Sequence, residues 1–473
     1  MTQHWDVIII GAGTVGLPAA VFASGRCDNV LLLDAAPEIG GTLHLSGGQM
    51  SAAGTRLQKE RGIKDSAALH FEDVIRISKN TVDRDLVRLA IDNAAATLDW
   101  LETIGFQPLP AHPVKGQDHE PYSVQRYVWG KDMGKSILAV LKPQLEKVTE
   151  QERVTLKLNT RVSRLIQDDD GTVSGVVAST ENGPEQNFSA RSVVIAAGGF
   201  AANPAMYQDL SKQPAYADYS YPFCIGDGLT LGLDAGGVSR GHENVLTSFG
   251  SVMQSYDIPS KVRCDLNHWP ERRLPWEIYV NAHGKRFIRE DEPSVDVREH
   301  CLQGQPDARY WAVFDAVTLK EAPSLLAGHT AGEIKAAAVN NEPMFYTADT
   351  ITELAEKAGL PSGALMDTVA AFNDGQAKST DSFGRSHMPR PINQGPFYSV
   401  RAQGISVSGA VGLMVNQDLQ IIRNDGSPVP GLYAAGEALG SGATMGSSVC
   451  GGMLVTPALT FGRMLGQHIL PLD

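Results

Sequence analysis

Cysteine is scarce in this chain. There are five, Cys27, Cys224, Cys264, Cys301 and Cys450. Their number is odd, and no two stand as CxxC or CxxCH. That argues against a disulfide framework, a metal site and an attached haem, and for core thiols in a reducing cytoplasm. Long apolar runs are also missing. None approaches the ~18 residues of a membrane span. The first apolar strand begins by residue 6, so no leader peptide is expected. Positive charge is in deficit, with 40 Lys and Arg against 53 Asp and Glu and a net charge of −13. Nucleic acid and anionic membrane surfaces are therefore poor partners, although a local basic pocket remains open. Internal repeats and low-complexity tracts are absent.

What is present begins with Asp-Val-Ile-Ile-Ile-Gly-Ala-Gly-Thr-Val-Gly at 6–16. A β-prone run leads into GAGTVG, then a helical stretch to Ser24 and a second apolar strand ending at Asp34. Gly11 suits the tight turn, and Gly13 lets a pyrophosphate approach the backbone. Gly16 lets the helix pack on the strand, and the helix N-terminus faces the phosphates. Asp34 lies 23 positions after Gly11, where an acid bonds a ribose hydroxyl. Strand, helix, strand and acid in this order predict a bound dinucleotide. A second GxGxxG is missing, so a separate electron acceptor or donor is expected rather than a stably held nicotinamide.

The chain's 473 residues suggest two or three domains. The small-residue segment 40–55 follows the ribose acid and is expected to press on the ligand. An amphipathic helix is predicted over 83–104, ended by Gly105, and another over 133–147. Short β runs at 154–158, 162–167 and 172–179 predict a meander turned at 168–171. A buried strand over 192–196 enters AGGF. Residues 228–395, rich in proline, with helices expected at 350–359 and 362–373, read as an inserted domain. The tail then resumes the first pattern in PGLYAAGEA (430–438).

These motifs resemble the flavoprotein family of fumarate reductases, succinate dehydrogenase flavoprotein subunits and 3-ketosteroid dehydrogenases. GAGTVG with Asp34 resembles their ADP half-site. Gly40-Gly41-Thr42 and Ser46-Gly47-Gly48 resemble the loop beside the pyrophosphate and flavin. VVIAAGGF (193–200) and Gly226-Asp227-Gly228 resemble their second fingerprint and GDG motif. PGLYAAGEA resembles their third, and 348–385 with PFY at 396–398 their cap signature. The resemblance implies an α/β fold: a Rossmann-like FAD-binding domain (1–227 and 396–473) with an inserted α+β capping, or substrate, domain (228–395). It implies FAD contacts from Gly11, Gly13, Val15, Gly16, Asp34, Ala35, Gly40, Gly41, Thr42, Ser46, Gly47, Gly48, Val162, Ala197, Gly198, Gly199, Gly226, Asp227, Gly436, Glu437, Gly452, Leu454 and Val455. Gly41 stands where membrane-bound members carry the attachment histidine, so FAD is expected to be non-covalent. His44 nearby is expected to be an ordinary loop histidine.

The family's chemistry is exchange of hydride and proton across a CH–CH bond beside a carbonyl or carboxylate. The catalytic sets match poorly. GKRFIRE (284–290) makes Arg298 the nearest counterpart of the fumarate reductases' donor arginine, across a longer spacing. Their clamp histidine falls near Ser408 and their second arginine near Val449, so a dicarboxylate site is not expected. The steroid enzymes' tyrosines fall at Ser294 and near Val449. Tyr122, Arg126, Tyr127 and Trp129 (121–130), in a segment that faces the cap in the family, are candidates to replace them. A phenol can exchange a proton and an arginine can bind a carboxylate. Arg286 and Arg289 are weaker candidates. The amides of Gly451 and Gly452 could form an oxyanion site, with Cys450 beside them. The expected catalytic residues are therefore Tyr127, Tyr122, Arg298 and Gly452. The expected reaction is desaturation of a cyclic ketone, steroid-like or smaller. Reduction of an unsaturated carboxylate or enone is the alternative; an oxidase and a non-catalytic flavin-binding partner are more remote.

Overall fold

Strands without a polar face must be covered on both sides, and the runs at 7–10, 30–33 and 193–195 have none. In a computed structural model describing residues 4–116, 119–245, 247–270 and 272–472, they form the centre of a largely parallel sheet. The strands are β1 (His4–Ile10), β2 (Val30–Leu33), β3 (Met50–Ser51), β4 (Tyr127–Val128), β5 (Val154–Lys157), β6 (Arg161–Gln167), β7 (Val173–Ser179) and β8 (Gln186–Ile195). β8, β1, β2 and β5 lie side by side, and Pro428–Ala434 adds to the β8 edge. β6 and β7 form an antiparallel hairpin against β8, while β5, grouped with them by the sequence, runs parallel to β2 instead; β3 with β4 makes a separate ribbon.

The register decides what these strands can do. Ile10 pairs with Leu33 and with Ile195, and Ile195 pairs with Ala434. The carboxyl ends of the parallel strands therefore share one row, and each sequence fingerprint begins just beyond it. Binding sites of open parallel sheets lie at that edge.

The predicted helices form with small changes at their ends. Arg84–Thr103 is capped by Asp83, whose carboxylate accepts the Leu86 amide at 2.9 Å. The second helix spans Gly134–Glu150. All five cysteines are free thiols.

The chain divides into two units. The first comprises Met1–Lys212, Ser220–Val245 and Ser408–Asp473, and the second Gln213–Tyr219 and Leu246–Val407. The sequence reading set its seams at 227/228 and 395/396. The first seam moves because Gly226, which opens the helix Asp227–Asp234, bonds Gly199, and Ser239–Arg240 pairs with Gly412–Leu413. The second moves because Phe397–Gln403 runs antiparallel to Arg309–Asp315 in the other unit's sheet.

That second sheet separates two apolar layers by strict alternation. Along Arg309–Asp315, Tyr310, Ala312 and Phe314 face one cluster, and Trp311 and Val313 the other. The helices Ile351–Ala358 and Ser362–Lys378 cover the latter with Leu354, Leu365 and Phe372. Leu365 is fully buried there. Leu365→Ala should lower unfolding free energy by ~2–5 kcal/mol in urea titrations, and a loss under ~1 kcal/mol would mean that the layer collapses around the gap.

Candidate active site

The glycine turn after β1 is built by contact. Residue 11 has φ +108°, and a β-carbon there would lie 2.3 Å from the Ala196 carbonyl oxygen. A β-carbon on residue 16 would meet the Gly11 oxygen at 1.8 Å. These two glycines are demanded by the protein's own packing. Gly13 differs, because its nearest neighbour would be Gly41 Cα at 3.8 Å. Its open side, partly exposed, suits a ligand rather than a side chain. The helix Gly16–Ala23 has no side-chain cap; the Leu17 amide donates to the Gly13 carbonyl at 3.1 Å and Pro18 has no N–H, so it is the amides just before them, in the turn at 14–16, that face a phosphate.

Asp34 directly follows β2, and its carboxylate accepts the amides of Ala12 at 2.6 Å and Ala36 at 2.7 Å. Burial raises its pKa, and these two bonds oppose the shift. Asp34 thus ties the glycine turn to the adjacent strand end. The loop predicted to press on a ligand docks there too: the Gly40 amide donates to the Ala12 carbonyl at 2.8 Å. Gly41 and Thr42 lie in its 3₁₀ turn, and Ser46 Oγ accepts the Gly48 amide at 3.0 Å, enclosing Gly47. The His44 ring is tied to the Ile39 carbonyl at 2.9 Å.

The other fingerprints reach the same edge. The Gly226 amide donates to the Gly199 carbonyl at 3.0 Å, following the Ala197–Gly198 turn. A β-carbon on Gly199 would lie 2.9 Å from Glu437 Oε1, and one on Gly436 2.5 Å from Val15 Cγ2. Desolvation pushes the Glu437 carboxyl up to about 7. Asp227 instead pairs with Arg161, the neighbour of Val162, through two 2.8 Å bonds.

Near the chain's end, Gly452 has φ +81°, and a β-carbon there would lie 2.5 Å from the Ser51 amide nitrogen. The Ser51 amide donates to Thr456 Oγ1 at 2.8 Å. The following helix, Val455–Met464, starts at Leu454 without a side-chain cap. Gly452 therefore lies against β3 at the head of an uncapped helix, a positive end suited to a developing negative charge.

The structure brings the two tyrosines to this turn. The Tyr122 hydroxyl donates to the Gly451 carbonyl at 2.5 Å, with Ser51 Oγ at 3.4 Å. Burial holds its phenol well above the usual range. Tyr127 is buried in β4, and a β-carbon on Gly451 would meet its ring at 3.0 Å. Arg126 is engaged within its own unit. It holds Asp65 at 2.7 and 2.9 Å and Asp73 at 2.8 Å, fully buried. Ser51, Asp65, Asp73, His70 and Thr456 belong to this environment, and no local motif marks them in the sequence.

Arg298 lies in the second unit. It is fully buried, its guanidinium 5.2 Å from the Phe249 ring and 5.3 Å from that of Trp269. Nη1 donates to the His268 carbonyl, while Nε and Nη2 have no partner among the described residues. Burial lowers its pKa. Ser294 is the cap of the helix Val295–Gln303. Arg286 and Arg289 are committed to ion pairs, with Glu290 and Asp381 at 2.6 and 2.5 Å and with Asp291 at 3.0 Å.

Glycine turns, a helix start without a side-chain cap and an acid at one strand edge define a dinucleotide-binding site. The chain belongs to the FAD binding domain family, whose model matches residues 6–454. It is 28% identical to the fumarate reductase (cytochrome) of Shewanella frigidimarina, covering 98% of this chain and 76% of that one. It is 25% identical to 4-oxocyclohexanecarboxylate 2-dehydrogenase of Sinomonas cyclohexanicum, over 98% and 92%. The fold of 3-ketosteroid delta1-dehydrogenase from Sterolibacterium denitrificans matches with a TM-score of 0.76 and 21% identity, covering 100% of each chain. No described helix is long and apolar enough to cross a membrane.

Asp34→Ala should weaken FAD binding at least ~10-fold in fluorescence titrations, since it removes two bonds to a charged group worth ~1.5–3 kcal/mol each. Unchanged affinity would show that the turn holds without it. A second expectation concerns pH. Glu437 has its pKa raised from 4.5 unfolded to about 7 folded, so its contribution is full below pH 4.5 and is lost as pH rises through about 7. Glu437→Gln should flatten that part of the melting-temperature profile. An identical slope in wild type and variant would assign it elsewhere.

Proposed function

We propose that this protein is an FAD-dependent dehydrogenase that desaturates a cyclic ketone, steroid-like or smaller, alpha–beta to its carbonyl. The observation that carries the reading is the Gly451–Gly452 turn at an uncapped helix start, packed against two tyrosines. Its donors are neutral amides. Arg126, the arginine of that segment, is consumed by two aspartates, so the surroundings favour a carbonyl over a second carboxylate.

FAD would be held non-covalently by the turns at 11–16, 40–48, 197–199 and 436–437, with Asp34 at the ribose. Bound FAD supplies hydride exchange with one carbon of the CH–CH bond. The Gly452 amide holds the carbonyl oxygen as it gains negative charge. Tyr127, whose ring packs on the Gly451–Gly452 turn, exchanges the proton at the neighbouring carbon. Electrons pass to a separate carrier, because the sequence holds a single GxGxxG. The free thiols support a cytoplasmic setting.

A second reading is reduction of an unsaturated carboxylate or enone with Arg298 as proton donor. It is favoured by that guanidinium, buried without a carboxylate partner among the described residues, which suits an anion better than empty space.

Anaerobic mixing with a panel of cyclic ketones should bleach the flavin. Tyr127→Phe should slow bleaching ~10²–10⁴-fold with FAD still bound. Reoxidation of chemically reduced protein by enoates, lost in Arg298→Ala but kept in Tyr127→Phe, would establish the second reading instead. No response to either panel would favour a non-catalytic flavin-binding role. Acid precipitation should leave yellow flavin in the supernatant; flavin retained on the polypeptide would overturn non-covalent binding.

A further inference from the structure

Two adjacent glycines make a poor fixed donor. The peptide joining Gly451 to Gly452 can rotate at either side with little steric penalty. Yet the proposed role of Gly452 needs its amide to point one way. The structure contains a device that removes this freedom.

A trans peptide is planar, so its carbonyl and its N–H point in opposite directions. The Gly451 carbonyl accepts the Tyr122 hydroxyl at 2.5 Å. The Gly452 N–H, in the same peptide plane, must therefore point away from Tyr122. No described residue accepts it, and Gly452 is partly exposed while Gly451 is buried. The free donor is thus turned outward by capture of the carbonyl behind it.

Tyr122 is itself held. Its buried ring lies 5.1 Å from the Arg126 guanidinium, which Asp65 and Asp73 fix in place. The next residue, Ser123, donates from both its amide (2.9 Å) and its hydroxyl (2.7 Å) to Asp73. The His70 ring meets the Tyr122 ring edge-on at 5.3 Å. Burial keeps this imidazole neutral, so it adds no charge at the phenol. On the far side, Ser51 abuts Gly452, bonds Thr456 and lies at 3.4 Å from the same hydroxyl.

We propose that Tyr122 is a positioning residue: its hydroxyl clamps the Gly451 carbonyl and thereby aims the Gly452 N–H at a carbonyl oxygen that gains negative charge. This rests on the donor role of Gly452 proposed above. The oxygen belongs either to the flavin ring or to the ketone.

The test is Tyr122→Phe in the full-length, FAD-loaded protein, which keeps the ring and removes the clamp. Three quantities are read: the flavin midpoint potential, the rate of bleaching by a cyclic ketone, and the melting temperature. If the flavin carbonyl is the target, the midpoint should move to more negative potential. If the ketone is, the midpoint should stay and bleaching should slow at least ~10-fold, below the ~10²–10³ of a donor removed outright. Either result supports the clamp. A lower melting temperature with midpoint and bleaching both unchanged would overturn it and leave Tyr122 as packing alone. Should the Phe variant not fold, a ring-fluorinated tyrosine at 122 keeps the shape and donates more strongly. It should shift the same reading in the opposite sense, and no shift would overturn the proposal. Wild-type protein that no ketone bleaches would refute the ketone reading, while the midpoint comparison would still decide the clamp.

Discussion

The carbonyl oxygen of Ala196 lies 2.3 Å from where a β-carbon on residue 11 would be, too close for any side chain. That single close approach joins the two halves of the central sheet at its ligand edge. It is possible because β1 and β8 run parallel in a register that ends Ile10 beside Ile195, with the Ala196 amide donating to Ile10 at 2.8 Å. Gly11 then bonds back to β2, and Ala435 bonds to Ile195. Segments more than 400 positions apart reach one edge because strand pairing, not chain proximity, brings them there. Slipping one strand by a residue would turn its side chains over and misplace its fingerprint.

Buried charge provides the second constraint. Arg126 with Asp65 and Asp73, and Arg385 with Arg286, Glu290 and Asp381, are ion clusters out of solvent in their respective units. Such clusters contribute little net stability, because desolvation cancels most of the attraction. They are costly to break, however, so they hold their surroundings in one geometry. In the first unit that rigidity backs Tyr122 and the glycine turn. Among the described residues Arg298 has no such matched carboxylate, and its aromatic surroundings carry a functional reading.

Much of this was legible in the sequence. The β1–helix–β2 unit, the β6–β7 hairpin and the Asp83-capped helix are written in local periodicity and turn residues, and they form within a few residues of where the sequence places them, whereas β5 leaves its sequence neighbours to pair with β2. The FAD fingerprints were legible for the same reason. The partners of the candidate side chains were not. Arg126 reads as a carboxylate ligand for substrate until Asp65 and Asp73 are seen to surround it. Tyr122 reads as an acid or base until its hydroxyl is found on the Gly451 carbonyl. Arg286 and Arg289 are consumed by neighbours in the same way. The seams of the second unit also escaped, since they depend on which sheet Phe397–Gln403 joins.

The sequence by itself determined the elements, the glycine turns and the family to which they belong. Those depend on stereochemistry and hydrophobic period within a few residues of each position. Tertiary structure alone decided which polar groups are spent on the protein and which stay available. Tyr122 and Gly451 lie 329 positions apart, and Arg126 and Asp65 61 apart. A hydroxyl or a guanidinium carries no mark of its partner, because hydrogen bonding and desolvation depend on what the fold places beside it.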